Sequence, residues 1–72
     1  MVHFESQCMS KRKVEQFAKL CEDMIGTEYE INQDDDDSYY IMVFDLETAE
    51  EIELVNKINR HVYHGEKQKF NK

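Results

Sequence analysis

Proline and tryptophan are absent from this sequence, and glycine and cysteine occur only twice each. With glycine confined to Gly26 and Gly65, the chain has no glycine-rich loop that could cradle a phosphate group. Cys8 and Cys21 show no CxxC spacing and no companion cluster, which excludes a disulfide framework or a zinc finger and predicts two reduced thiols. The chain also lacks the apolar run of a signal peptide or a membrane span. We therefore expect a cytoplasmic protein without a membrane segment.

Basic residues are missing from the middle of the chain. The interval between Lys19 and Lys57 contains no lysine or arginine but holds thirteen of the sixteen acidic residues, and the formal net charge is −7. An acidic excess this concentrated repels nucleic acid and anionic membranes and attracts basic proteins. Direct binding of nucleic acid is thus disfavoured, except at the basic ends. A simpler interpretation stays open, in which the acidity serves only solubility and Asp34–Asp37 form a solvated turn.

The residues that are present make a folding composition. Hydrophobic residues account for 40% of the 72 residues and charged residues for 35%. A chain of this length suits one domain with a small core, and the composition is not that of a disordered tail. We expect a single acidic domain over residues 1–72.

Local patterns predict two helices. Apolar residues recur at helical spacing after Ser10, a candidate N-cap, and Gly26 suits the end of that helix. A capping box from Thr48 to Glu51 starts the second helix, and Gly65 can close it.

Strand patterns complete the prediction. Val2 and Phe4 alternate with polar residues, which indicates a short first strand. Residues 28–32 and 39–46 alternate or are rich in aromatic and β-branched side chains, and the polar residues 33–38 between them predict a β-hairpin with an acidic turn. The third strand is apolar on both faces, with Tyr39, Ile41 and Val43 on one side and Tyr40, Met42, Phe44 and Leu46 on the other. Such a strand needs cover on both sides.

The predicted order is βαββα, an α+β two-layer sandwich with a three-stranded sheet and two helices. It resembles a ferredoxin-like sandwich that lacks the last strand, and this resemblance of fold implies no function. The first strand would then keep an unpaired edge beside a two-sided apolar strand, which predicts a homodimer. The dimer interface is expected at Val2, Phe4, Tyr39, Ile41 and Val43. A monomer with some exposed tyrosines is the alternative.

No catalytic, metal or cofactor site is indicated. The acidic turn lacks the glycine and the final glutamate of a calcium-binding EF-hand loop, with Val43 at the position of that glutamate. His61 and His64 lie one helical turn apart, but zinc needs a third protein ligand and none is apparent. Neither cysteine has a motif for nucleophilic catalysis. We therefore expect a binding protein that is not an enzyme and carries no cofactor.

Two functions remain open. The leading hypothesis is an acidic inhibitor or modulator that occupies the nucleic-acid-binding surface of a basic partner protein, in the manner of the DNA mimics encoded by phages and mobile elements. The residues expected to contact that partner are Asp34, Asp35, Asp36, Asp37, Asp45, Glu47, Glu50 and Glu53. The alternative is a small homodimeric structural or regulatory domain that docks a partner through its apolar strand face or free edge, with the acidity serving solubility.

Overall fold

The computed structural model describes residues 2–67 of the chain. Three strands and two helices follow one another as β1 Val2–Glu5, α1 Lys11–Met24, β2 Tyr29–Asp35, β3 Ser38–Leu46 and α2 Ala49–Val62. Neighbouring strands are antiparallel, and β3 lies between β1 and β2. The prediction of a small α+β fold with a three-stranded sheet and two helices is confirmed. The domain predicted over residues 1–72 extends beyond the described range at residue 1 and residues 68–72.

Both helices begin at the predicted caps. The Ser10 side chain accepts a hydrogen bond of 3.3 Å from the backbone amide of Lys13, at the start of α1. In α2, the amide of Glu51 donates to Thr48 Oγ1, and the amide of Thr48 donates back to Glu51 Oε1, each at 3.1 Å. Gly26 follows α1 with a φ of +80°, a conformation that glycine adopts without the steric cost of a Cβ atom. The helix starts were therefore readable from local side-chain chemistry.

The β-hairpin is longer than its polar sequence predicts. Strand β2 continues through Asp35, so the connecting loop is only Asp36 and Asp37 instead of residues 33–38. The Gln33 side chain supports this turn by donating to the backbone oxygens of Asp35 and Asp36, at 3.1 and 3.4 Å. Strand pairing is a backbone property, and here it extends into residues whose side chains are polar on both faces.

The core lies between the sheet and the two helices, which share one face of it. Helix α1 lies against β3, and α2 packs against α1. The rings of Phe4 and Phe17 stack with centroids 5.8 Å apart and so connect β1 to α1. The buried apolar residues are Met9, Val14, Phe17, Ala18, Cys21, Ile41, Val43, Leu46, Val55, Ile58 and Val62.

Leu46 lies on the opposite face of β3 from the one its parity predicts. It is 1% exposed and belongs to the core. The register shifts between the pairs Phe4 with Val43 and Val2 with Leu46, and Asp45 between them has a φ of +59°. This bulge inserts one residue and turns the following side chain to the other face. Strict alternation along β3 therefore ends before Asp45.

Candidate protein-binding surfaces

The tip of the β-hairpin carries the four aspartates Asp34–Asp37, which we call the tip aspartates. All four are exposed. The amide of Asp36 donates to Asp35 Oδ1 at 2.8 Å, and the thiol of Cys8 donates to Asp34 Oδ2 at 3.6 Å. The tip thus presents four negative charges to solvent, two at the end of β2 and two in the turn, and the Asp35 side chain helps to fix that turn.

A second acidic group surrounds the junction of β3 and α2. Its members Asp45, Glu47, Glu50 and Glu53, which we call the junction acids, are all exposed. Their neighbour Glu51 is engaged in the helix cap instead, because its carboxylate accepts from the amides of Glu47 and Thr48 at 2.9 and 3.1 Å. These two hydrogen bonds lower the pKa of Glu51 below its ordinary value.

The structure does not bring the two acidic groups together. They lie at opposite ends of β3, because Asp37 directly precedes this strand and Asp45 is its last residue but one. Eight residue steps of about 3.4 Å give a separation of roughly 27 Å. The residues expected to contact a partner therefore form two patches rather than one cluster.

A shallow depression lies beside the junction acids. It has a volume of about 280 Å³ and is lined by Glu50, Glu53, Leu54 and Lys57 of α2. Two carboxylates beside a half-buried leucine suit the charged head and aliphatic stem of a partner's lysine, although Lys57 adds a positive charge at one side.

The residues predicted for a dimer interface lie mostly in the core. Ile41 and Val43 are 0% exposed, and Phe4 and Tyr39 pack against the buried cluster. The helices cover this face of the sheet, because α1 needs an apolar surface for its own buried side chains. Of the predicted set, Val2 alone is largely exposed, at 51%, on the edge strand. The face assigned to a partner from the sequence is thus occupied within the single chain.

The other face of the sheet carries no helix among the described residues. Its centre is the apolar stripe Tyr40, Met42 and Phe44, and all three side chains are half-buried. The strand register places Glu5 and Glu30 directly on either side of Met42. Beside Phe44 lie His3, whose ring centroid is 6.2 Å away, and Glu28, whose backbone oxygen accepts from the Phe44 amide. We call this surface the open face.

Sequence reasoning missed the acidic flanks of the open face. The alternation of β3 identified the stripe itself, but which residues border it depends on how β1 and β2 pair with β3. Glu28 and Glu30 alternate with Tyr29 and Ile31 in the sequence. This alternation is visible in the sequence, but only the pairing register of the hairpin shows that Glu28 and Glu30 border the stripe.

Neither cysteine is an activated nucleophile. Burial raises the pKa of the Cys21 thiol to about 12. Desolvation and the nearby carboxylate of Asp34 also raise the pKa of Cys8, which is exposed and free. Because the thiolate is the reactive form, both shifts reduce reactivity at neutral pH.

The histidines and acids form no metal-ligand set within residues 2–67, since no three such side chains converge there. His61 Nδ1 lies 2.9 Å from the backbone oxygen of Glu66, which fits a ring in α2 that donates to the segment after this helix. Within the same range, neither helix has the length and apolarity that crossing a membrane requires.

Comparison with known proteins gives no relative: no protein-family model matches the chain, and neither a curated protein nor a solved structure is significantly similar to it.

Proposed function

We propose that this chain is an acidic modulator that binds a basic protein and occupies the surface with which that partner contacts nucleic acid. The observation that carries the proposal is the exposed acidity at both ends of β3, in an interval from Lys19 to Lys57 that contains no basic residue. A surface of one sign raises the local potential and accelerates encounter with a partner of the opposite sign. The same charge repels nucleic acid, so a protein partner fits better.

The spacing of the two patches supports mimicry of a nucleic-acid backbone. The tip aspartates and the junction acids are separated by roughly 27 Å, which corresponds to about eight base pairs at 3.4 Å each. A basic protein that follows a duplex contacts phosphates over a comparable length. Its lysines and arginines would meet carboxylates at both ends of this chain.

A second candidate function is docking through the open face, in a homodimer or with another protein. The observation that favours it is the stripe of Tyr40, Met42 and Phe44 on a face without a helix. A homodimer on this face would bring Glu5, Glu28 and Glu30 of one copy close to those of the other. Self-association should therefore increase with salt, whereas binding of a basic partner should decrease.

Two further aspects belong to the proposal. The strand order β1-β3-β2, with both helices on one face, supports a ferredoxin-like sandwich whose described part has no fourth strand. The free thiols of Cys8 and Cys21 support a reducing compartment, and we place the protein in the cytoplasm.

The test begins with a partner. The immobilised protein is exposed to an extract of its native cell, and bound proteins are eluted with rising salt and identified. Each basic candidate is then purified and bound to a fluorescently labelled duplex, and displacement of the duplex by this chain is measured by anisotropy. We expect displacement that weakens steeply between about 50 mM and 300 mM salt.

Charge variants connect the displacement to the two patches. One variant replaces the tip aspartates by asparagine, and a second replaces Glu50 and Glu53 by glutamine, which leaves the cap residues Thr48 and Glu51 intact. Each should weaken binding mainly through slower association and reduce its salt dependence. Glutamine at Glu15 and Glu66, which are exposed outside the acidic interval, is the matched control. Unchanged displacement by a folded variant that combines both sets of substitutions, and so lacks six of the eight patch charges, would refute the proposed function.

A further inference from the structure

The open face combines an apolar centre with an acidic border. Met42 is flanked by Glu5 on β1 and by Glu30 on β2, and two strand spacings put the two glutamates about 10 Å apart. Glu28 continues the border beside Phe44, and all three glutamates are exposed. The three strands contain no lysine or arginine, and His3 is the histidine beside Phe44. The open face therefore combines an apolar strip with negative charge on both sides of it.

The apolar stripe is too small to hold a stable dimer by itself. Each of its three side chains is roughly two-thirds buried or more, so at most about 200 Å² of their surface remains to be covered, given 150–250 Å² for a whole aromatic side chain. Stable protein interfaces bury about 800 Å² on each partner. A second copy would also oppose glutamates with glutamates. The small apolar area and the repulsion between glutamates both favour a short, positively charged segment of another protein as the ligand of this face.

Nucleic acid is a poor ligand for the open face, because its phosphates and the bordering glutamates are both negatively charged. Aromatic side chains on an open sheet can stack with unpaired bases, as in RNA-binding sheets. That mode needs cations for the phosphates, and here glutamates border the aromatics. The charge of the border thus decides between the two classes of ligand.

We propose that the open face binds a basic amphipathic segment of the protein partner, with apolar side chains over Tyr40, Met42 and Phe44 and with lysines or arginines against Glu5, Glu28 and Glu30. This inference rests on the proposed function in that the partner is a basic protein, and it adds where and how the partner is held. The apolar contact anchors the segment, and the border selects its charge. The tip aspartates and junction acids are then free to act on a different part of the partner.

A designed peptide pair tests the inference without the natural partner. The probe is an 18-residue peptide of leucine and lysine whose leucines line one face of a helix, and its control is a scrambled peptide of the same composition. Each is titrated into the ¹⁵N-labelled full chain, and amide shifts are followed by NMR. We expect the amphipathic peptide to shift resonances of the open face and the scrambled peptide to bind more weakly.

Matched variants separate the two parts of the contact. Met42→Gln removes apolar surface at the stripe and should weaken the peptide roughly tenfold. Its control is Ile31→Gln, an apolar residue of β2 that is 39% exposed and pairs with Ile41 on the opposite face of the sheet. Removing two border charges with Glu5→Gln and Glu30→Gln should weaken binding about fivefold and reduce its salt dependence. The control with equal charge is Glu15→Gln with Glu66→Gln, two exposed positions outside the acidic interval, which should change affinity much less.

Several results would overturn the inference. One is a peptide that shifts only resonances of the tip or of α2, and another is equal affinity for the open-face and control variants in chains whose NMR spectra show the native fold. A third is an oligouridylate strand that shifts the same open-face resonances, and a fourth is concentration-dependent shifts there without peptide, which would assign the face to a second copy. Failure of duplex displacement with intact peptide binding would refute the proposed function alone.

Discussion

The side-chain hydroxyl of Ser6 accepts a hydrogen bond of 2.9 Å from the backbone amide of Ile41. The amide of Ser6 donates to the backbone oxygen of Ile41, also at 2.9 Å, and both residues are buried. In a regular antiparallel pair a backbone carbonyl would accept from the Ile41 amide, whereas here a side chain takes that place. Ser6 thus satisfies an amide of the central strand just beyond the end of β1.

Ser6→Ala should lower the free energy of unfolding by about 1–3 kcal/mol, because it leaves the buried amide of Ile41 without an acceptor. Urea unfolding followed by circular dichroism measures the change. The control is Gln7→Ala at the exposed neighbouring position, which should stay within about 0.5 kcal/mol of the original chain. A Ser6→Ala chain as stable as the control would mean that another acceptor replaces the hydroxyl.

The parts of the fold that were predictable from the sequence are those with local causes. The caps at Ser10 and Thr48 depend on residues three positions away, so both helix starts were readable. The hairpin length, the face of Leu46 and the role of Ser6 depend on pairing with another strand. A pattern read along one strand does not contain that register.

The candidate site divides in the same way. The exposure of the acidic side chains was predictable from their charge, because unpaired carboxylates are costly to bury. Its division into two patches depends on the length of β3 in the folded chain. The predicted dimer interface included Ile41 and Val43, which lie on the face of β3 that α1 covers. Both faces of this strand are apolar, so the sequence pattern alone does not show which face the helices bury.

Asp45 offers a test of the bulge in β3. Its φ of +59° lies in the left-handed region, where a side chain costs about 1–2 kcal/mol and glycine costs little. Asp45→Gly should therefore leave stability equal or raise it by up to about 1 kcal/mol, and Asp45→Val should lower it by about 1–2 kcal/mol. Thermal unfolding at one pH measures both changes. Asp45→Asn removes only the charge and should be near neutral; a valine variant as stable as the asparagine variant would contradict the strained conformation.

Glu51 should make helix α2 sensitive to acid. Hydrogen bonds from the amides of Glu47 and Thr48 lower its pKa in the folded state. A carboxylate with a lowered folded pKa contributes stability that is fully present above its unfolded pKa and is lost as the pH falls through the lowered value. The stability difference between the original chain and Glu51→Gln should thus shrink as the pH falls from about 7 to about 3.

The comparison isolates the charge at Glu51, because glutamine keeps an oxygen that can accept from the Thr48 amide. Unfolding free energies of both chains are measured at each pH. Glu50→Gln removes the same charge one residue earlier and serves as the control. A Glu51→Gln difference that stays constant across this range would show that the ionised carboxylate adds nothing to the cap.

Mutual repulsion of the clustered acids should make the protein more stable in salt at neutral pH. The net charge is −7, and the tip aspartates occupy four consecutive exposed positions. Folding brings these carboxylates close together, and salt screens the repulsion between them. The melting temperature at about pH 7 should rise between roughly 50 mM and 300 mM sodium chloride.

The tip aspartates should account for much of that salt response. Replacing Asp34–Asp37 by asparagine keeps side chains that suit a turn, and this chain should show a smaller rise in melting temperature with salt. The control removes four exposed acids that are dispersed along the chain, by glutamine at Glu15, Glu30, Glu47 and Glu66. Both variants carry the same net charge, so clustering is the variable between them. If the two variants respond equally to salt, net charge and not the packing of carboxylates at the tip governs stability.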